Sequence, residues 1–237
     1  MSIKTVGILA YHRCSESDTI VAFEVLRGVP VLLELLGRKD EAPEVKLVAL
    51  DDGPIELQMG SRVEPHAVLK DDDLFDVLYV PGGQGSGKAI ADERVLNCIR
   101  RHKQQGKFIA ANCVGVGIIH RAGVIGDAQV TCSPPVLRRL KEEGINVINP
   151  RTMWLGAPEH KLWTMAGGSS INAGTMALVN FLWGEEIGKE LSMWFDSRCA
   201  VGYVLFTNEG PEYFLYPEAE KKIQDDTADN LLPPLKK

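Results

Sequence analysis

A cysteine at a predicted strand–helix junction is the strongest chemical signal in the sequence. Residues 108–113 form an apolar run typical of a buried strand, and residues 114–122 suit a helix packed on a sheet. A helix N-terminus offers partial positive charge and free N–H groups, which stabilise a thiolate. We therefore predict that the pKa of Cys113 lies below its ordinary value and that the Val114 N–H points at an oxygen of any adduct. From residue type alone, the alternative to a reactive nucleophile is an inert cysteine buried in the core.

A glycine-rich loop, residues 81–87, follows the predicted strand of residues 76–80. In an open parallel sheet the carboxyl ends of neighbouring strands converge on one crevice, and glycine lets the backbone approach a ligand closely. The Gly83 N–H is therefore the predicted second donor to an adduct, with Gly82 beside it. A plain turn between strand and helix is the alternative that the residues alone leave open.

Alternating strand and helix patterns predict the scaffold that would position these groups. Predicted strands cover residues 5–11, 45–50, 76–80, 108–113, 128–132, 145–149 and 162–165, and predicted helices cover residues 18–36, 89–105, 114–122, 134–143 and 169–183. Residues 63–69 are an edge strand or a hairpin arm. The pattern predicts an α/β, flavodoxin-like fold, in which a mostly parallel sheet is sandwiched by helices and carries a cysteine nucleophile elbow.

Composition and charge argue against several classes of function. The 237 residues are 45% hydrophobic and 24% charged, which is ordinary for one packed domain of this length. A net charge of -6, with scattered basic residues, argues against a nucleic-acid partner. The apolar stretch of residues 6–11 is too short to cross a membrane, so no membrane partner is expected.

The cysteine content favours a reducing, cytoplasmic compartment. The five cysteines are Cys14, Cys98, Cys113, Cys132 and Cys199. An odd number without a Cys-x-x-Cys pair suits neither a disulfide framework nor a zinc site. We therefore expect no metal, and the sequence suggests no cofactor.

Four motifs, in this order and spacing, resemble the ThiJ/PfpI superfamily, which includes the Parkinson-associated deglycase, isonitrile hydratases and glyoxalase-like enzymes. They are Asp18 with Glu24 six residues later, the segment 76–83 followed by Gly85 and Gly87, the segment 110–115 around Cys113, and Gly167-Gly168 followed by Ala173-Gly174. Together the motifs fall within residues 3–185. This resemblance favours the nucleophile over the inert buried cysteine.

The resemblance implies roles for further residues. Asp18 matches an acidic side chain that hydrogen-bonds the thiol or handles a proton, although an N-cap of its helix is an alternative. With aspartate rather than glutamate at this position, the chain resembles the isonitrile hydratase branch of the family. Gly83 and Val114 match the backbone donors of an oxyanion-type pocket, although a hydroxyl residue is common in that branch where Val114 stands.

A departure from the family pattern limits the chemistry. Many relatives have a histidine twenty residues after the cysteine, and that position is Ser133 here. Proton transfer must then fall to Asp18, to a substrate group or to water, and Asp18 can serve only if its pKa is raised towards neutrality. His12 is a candidate for the pocket or the surface, and Cys132 is a candidate resolving thiol or a buried small residue.

The sequence therefore predicts a cofactor-independent, cysteine-dependent hydro-lyase of the isonitrile hydratase type that acts on a small molecule. A glyoxalase or deglycase acting on reactive carbonyls is one alternative, and a non-catalytic redox sensor that uses Cys113 is another. We predict a ThiJ/PfpI-like domain over residues 1–197 and a C-terminal extension, residues 198–237, docked on the core or on a partner. A homodimer is the expected assembly.

Overall fold

The chain forms a central sheet with helices on both faces. The computed structural model describes residues 3–195, 207–212 and 216–235. The strands are β1 (Thr5–Ala10), β2 (Glu44–Ala49), β3 (Ile55–Glu56), β4 (Arg62–Val63), β5 (Ala67–Val68), β6 (Val77–Val80), β7 (Phe108–Asn112), β8 (Trp154–Ala157) and β9 (Leu162–Met165). The helices are α1 (Ala22–Leu35), α2 (Ser86–Ala91), α3 (Glu93–Gln104), α4 (Gly115–Arg121), α5 (Pro134–Glu142), α6 (Ser170–Trp183), α7 (Glu185–Trp194) and α8 (Pro217–Leu231).

The strand order places four strand ends beside one another. Within the described residues, seven strands form a sheet in the order β5-β2-β1-β6-β7-β9-β8, and β3 pairs with β4 in a separate hairpin. Every pairing in the large sheet is parallel except that of β8 with β9. The carboxyl ends of β1, β6, β7 and β9 therefore lie at the same edge. The predicted α/β fold with a mostly parallel sheet between helices is confirmed.

Burial on both faces explains the continuous apolar strands. In β6, Val77 and Tyr79 belong to the hydrophobic cluster that contains residues of α1, α6 and α7, whereas Leu78 and Val80 belong to the cluster that contains residues of α2, α3, α4 and α5. All four residues of this strand are buried, so the alternation typical of a half-exposed strand is lost. No helix in the described ranges combines the length and hydropathy needed to cross a membrane.

The prediction of two of the strands is wrong. Residues 128–132 and 145–149 contribute a single parallel bridge between Val130 and Val147 rather than strands of the sheet. Two backbone hydrogen bonds accompany the bridge, from the Val130 N–H to the Asn146 carbonyl and from the Ile148 N–H to the Val130 carbonyl. The Thr131 N–H donates to the Thr164 hydroxyl instead, and the Thr131 hydroxyl donates to the Thr152 carbonyl. Ala128, Val130, Cys132 and Val147 are buried, which gives the same hydrophobic run as a strand.

Other elements differ from the prediction in detail. The single helix expected over residues 89–105 is two helices, because the Asp92 side chain accepts the Arg94 N–H and starts a second one. Residues 63–69 contribute to both a hairpin arm and the edge strand β5. The edge strand β8 and the helices α7 and α8 were not predicted.

The C-terminal helix α8 packs on the body of the fold, chiefly along α5. Leu232, directly after the helix, is fully buried, and an added Cβ at Gly117 would lie 3.1 Å from its Cδ1. The Ser86 hydroxyl donates to the Leu231 carbonyl at 3.2 Å. Tyr216 is exposed at the N-cap of α8, and residues 213–215 lie outside the described residues. The predicted domain boundary at residue 197 also lies outside them.

Candidate active site

Cys113 follows β7 directly and has an unusual backbone conformation. Its φ is 58°, a left-handed value that is uncommon for a residue other than glycine. The Cys113 N–H donates to the Met165 carbonyl at 2.9 Å, which ties the turn to the end of β9. Helix α4 begins two residues later at Gly115. Such locally strained backbone is most often found where a side chain must be held for function.

Two glycines allow the loops after β6 and β9 to close on this cysteine. A Cβ added to Gly82 would lie 2.8 Å from the Val114 nitrogen and 2.9 Å from the Cys113 Cβ. A Cβ added to Gly167 would lie 2.9 Å from the Cys113 Sγ. Contacts this short leave no room for a side chain. Glycine is therefore required at both positions because the two loops lie so close to Cys113, and not only because the chain turns there.

We expect Gly167→Ala to block Cys113 while a matched variant does not. Gly167 has a φ of +88° and Gly123 a φ of +74°, so alanine strains the backbone at both positions, but nothing lies within 4 Å of the added Cβ at Gly123. Gly167→Ala should slow alkylation of Cys113 by iodoacetamide at least about tenfold through overpacking. Gly123→Ala should lower the melting temperature through strain alone. Equal alkylation rates in the two variants would contradict the packing argument.

Asp18 is buried beside the cysteine and lies in a π-helical turn, Ser17–Val21, that leads into α1. Its Oδ2 accepts the Gly82 N–H at 3.0 Å, and its own N–H donates to the Ser15 hydroxyl at 3.3 Å. Burial raises the pKa of Asp18 to about 6, against the opposing hydrogen bonds from Gly82, Ser15 and the Cys113 thiol. This carboxylate can therefore take and return a proton near neutral pH.

The pKa of Cys113 is shifted in the direction opposite to the one predicted. Burial raises the pKa of the thiol, and the negative charge of Asp18 raises it further, while the Ser133 hydroxyl and the Val114 N–H act against the rise. The predicted lowering is wrong because burial and the neighbouring Asp18 carboxylate outweigh the effects of the Ser133 hydroxyl and the Val114 N–H. Near neutral pH the pair consists of an Asp18 carboxylate and a Cys113 thiol.

The backbone N–H groups of Gly82, Gly83 and Val114 differ in what they contact. The Gly82 N–H donates to the Asp18 carboxylate and is therefore not available to a substrate. The Val114 N–H stabilises the sulfur of Cys113. Gly83 lines a cavity together with Cys113 and Val114, and its N–H makes no hydrogen bond to the described part of the chain.

Comparisons with known proteins show which family the chain belongs to. Residues 4–167, which include Asp18, Cys113 and Gly167, match the model of the DJ-1/PfpI family. The chain belongs to the DJ-1/PfpI family. The isonitrile hydratase of Pseudomonas putida is 26% identical over 126 residues, which are 53% of this chain and 50% of that protein. A deglycase of Pyrococcus horikoshii is 25% identical over 113 residues, 47% of this chain and 68% of that protein.

Solved structures of the DJ-1 superfamily share the fold. A ThiJ/PfpI family protein from Pseudomonas syringae has a TM-score of 0.74 at 16% identity, covering 98% of this chain and 90% of its own. Drosophila melanogaster DJ-1beta has a TM-score of 0.69 at 21% identity, covering 82% of this chain and 98% of its own. The chain matches only half the length of the isonitrile hydratase, so family membership alone does not assign an activity.

Of the remaining predicted residues of this DJ-1/PfpI chain, only Ser133 lies at the nucleophile. Ser133 lines a cavity with Cys113, and its buried hydroxyl interacts with the Cys113 thiol. His12 instead lines a separate cavity near the ends of β1 and β2. Cys132 is fully buried and lines neither cavity at Cys113, and burial raises the pKa of its thiol to about 12. It is therefore a poor candidate for a resolving thiol.

Two polar residues near the site were missed by the sequence analysis. Tyr79 and Asn112 are fully buried in β6 and β7, and the Tyr79 hydroxyl interacts with the side chains of Asn112 and Thr175. Burial raises the pKa of Tyr79, and the charges of Asp18 and Cys113 raise it further, which places this hydroxyl close to the pair. A tyrosine and an asparagine inside otherwise apolar strands were the available signal, because such groups are rarely buried without a reason.

Two cavities open at Cys113. The larger one, about 430 Å³, has mostly apolar walls that include Pro134, Pro135, Ala166 and Ile223. The smaller one, about 330 Å³, contains Ser15, Ser17, Asp18, Gln58 and Gln84. A small molecule bound here can place an apolar group on one side of the sulfur and a polar group on the other.

Proposed function

We propose that this DJ-1/PfpI chain is a cysteine-dependent hydratase of the isonitrile hydratase type that needs no cofactor. The observation that carries this proposal is the Asp18 carboxylate, buried beside the Cys113 thiol with a pKa of about 6. A base with this pKa can accept the thiol proton as the sulfur attacks, so a separate imidazole is not required. Ser133, which stands where many relatives have histidine, offers a hydroxyl but no base.

The first half of the reaction joins the sulfur to the substrate. The Cys113 sulfur bonds to the isonitrile carbon while its proton passes to Asp18, and Asp18 returns that proton to the same carbon. The product is a thioimidate in which the nitrogen and carbon share a double bond. Covalent addition of this kind divides one difficult hydration into two easier steps.

The second half releases the product. The oxygen of a water molecule bonds to the thioimidate carbon and one of its protons goes to the nitrogen. The carbon–sulfur bond then breaks, the remaining hydroxyl proton returns to the sulfur, and an N-substituted formamide leaves. In this proposal the Gly83 N–H, from the wall of the smaller cavity, donates to the oxygen that water adds to the carbon, and the Val114 N–H stabilises the departing sulfur.

Two features favour a hydratase over a deglycase, although relatives with both names match the chain. An acidic residue acting together with a histidine is the arrangement that carbonyl chemistry at this cysteine would prefer, and the described site has no histidine in either cavity at Cys113. The apolar larger cavity also suits a hydrocarbon substituent better than the small, strongly hydrated carbonyl compounds.

We expect turnover of an alkyl isonitrile and not of methylglyoxal. Benzyl isocyanide incubated with the protein should yield N-benzylformamide, detected by proton NMR, with an initial rate at least about tenfold above the rate with methylglyoxal. Cys113→Ala protein serves as the blank for both substrates. Turnover of methylglyoxal alone would assign the deglycase alternative. Turnover of neither, with oxidation of Cys113 by peroxide, would favour the redox sensor.

A further inference from the structure

Helix α8 forms one wall of both cavities at the nucleophile. Ala219 and Glu220 face the larger cavity, and Thr227 and Leu231 face the smaller one. Among the described residues of α8, Ile223 is the only one that lines both. The C-terminal segment therefore contributes directly to the space next to Cys113, more than one hundred positions away in the sequence.

The helix is held in place by buried contacts at its C-terminal end. Leu232 is fully buried and Ala228 is nearly so. A Cβ added to Gly87 of α2 would lie 2.1 Å from the Asn230 carbonyl oxygen, so the end of α8 rests against α2 without space between them. Burial of this kind contributes more to docking than exposed ion pairs do.

Ion pairs fix the register of α8 along α5. Arg138 pairs with Asp225 at 2.5 Å and Arg139 pairs with Asp229 at 2.6 Å. The two arginines are adjacent on α5 and the two aspartates are four residues apart on α8, so they lie along one side of the helix. Together with the buried contacts, they keep the cavity-facing side of α8 turned towards Cys113.

The two cavities that α8 closes differ in chemistry. The larger one has mostly apolar walls, which include Pro134, Pro135 and Ala219, together with two charged residues, Arg151 and Glu220. The smaller one contains the hydrogen-bonding groups of Gln58, Gln84 and Asp18. Apolar walls favour apolar substituents, and a few convergent polar groups fix the orientation of the reacting end.

We propose that α8 is the specificity element of this site. It selects electrophiles that carry a compact apolar substituent, which occupies the larger cavity between Ala219 and the prolines, while the polar end of the molecule faces the smaller cavity. The identity of the physiological substrate within this class rests on the proposed hydratase function. The preference for an apolar substituent applies to any electrophile that reacts with the Cys113 sulfur, whatever the reaction.

The test compares three aromatic substitutions at different positions of α8. Ala219→Phe adds a ring at the wall of the larger cavity, Thr227→Phe adds one at the wall of the smaller cavity, and Lys221→Phe adds the same ring at a position that lines neither cavity. The rates of Cys113 alkylation by N-benzylmaleimide and N-methylmaleimide are measured by peptide mass spectrometry. The ratio of the two rates, benzyl over methyl, cancels general effects on the thiol.

Ala219→Phe should lower this ratio at least about tenfold, a loss of about 1.4 kcal/mol for the benzyl group. Lys221→Phe and Thr227→Phe should leave the ratio within about threefold of the unsubstituted protein. An unchanged ratio in Ala219→Phe, or an equal fall in all three variants, would overturn the assignment. Because the readout is labelling, it holds whether or not the protein hydrates isonitriles.

A second measurement needs no substitution. N-Benzylformamide should protect Cys113 of the unsubstituted chain from iodoacetamide at concentrations at which N-methylformamide does not. Equal protection by the two amides, or protection by neither, would overturn the selection of an apolar substituent even if the variants of α8 failed to fold.

Discussion

Cys113→Ala is expected to abolish hydration of benzyl isocyanide. Removing a covalent nucleophile commonly lowers kcat on the order of 10³-fold or more, because no other group can form the adduct. In this chain Asp18 could still act on water, but the Gly83 and Val114 donors would have no thioimidate to stabilise. The measurement is the rate of N-benzylformamide formation by proton NMR, with circular dichroism to show that the fold is retained.

Two control variants separate the nucleophile from the packing of its site. Cys113→Ser keeps the size of the side chain and the hydrogen bond to Asp18, but its oxygen is a weaker nucleophile and should be nearly as inactive as alanine. Cys132→Ala removes a buried thiol that lines neither cavity at Cys113 and should retain most of the activity. Activity in Cys113→Ala within about tenfold of the unsubstituted protein would rule out covalent catalysis by this residue.

The local pattern of the sequence was enough to predict most of the fold. Strands buried on both faces appear as short apolar runs ended by glycine or polar residues, and β1, β2, β6, β7 and β9 were predicted within one or two residues. The same pattern failed for residues 128–132, because a buried segment that forms a single bridge has the same composition as a strand. Pairing partners, unlike burial, leave no signal in the segment itself.

The sequence was enough to predict the parts of the site whose position depends only on which strand they follow. Cys113 and the loop of Gly82 and Gly83 follow adjacent parallel strands, so the topology brings them together. The use of the Gly82 N–H by Asp18 was not predictable, because these residues are 64 positions apart and the contact depends on the π-helical turn. The direction of the Cys113 pKa shift was missed for the same reason, since it depends on enclosure by distant segments.

The role of α8 was hidden by its composition. Residues 217–231 contain nine charged or amide side chains and few apolar ones, so the segment has the character of a solvent-exposed tail. Its docking depends on Ala228 and Leu232 and on charges supplied by α5. An amphipathic pattern this weak becomes informative only when the surface that it covers is known.

Asp18→Asn is expected to lower kcat for isonitrile hydration by roughly 10² to 10⁴-fold, the range typical of a lost general base. Asparagine has the size of aspartate and can still accept the Gly82 N–H, but it cannot take the thiol proton. In the unsubstituted protein kcat/KM should rise with pH through about 6, as the Asp18 carboxyl loses its proton. This limb of the pH profile should be absent in Asp18→Asn. A profile that keeps the limb would assign it to another group.

Asp18→Asn should also raise the free energy of unfolding. If the Asp18 carboxylate instead stabilised the fold, the same substitution would lower it. Burial raises the pKa of Asp18 from 3.8 to about 6, so the folded state disfavours the carboxylate and loses stability as pH rises through that interval. Removing the charge should recover about 3 kcal/mol in the free energy of unfolding at pH 8 and almost nothing below pH of about 4. Urea unfolding of both proteins at the two pH values measures the difference. A gain confined to high pH, together with the lost activity, would mean that the fold tolerates an unfavourable buried charge because catalysis uses it.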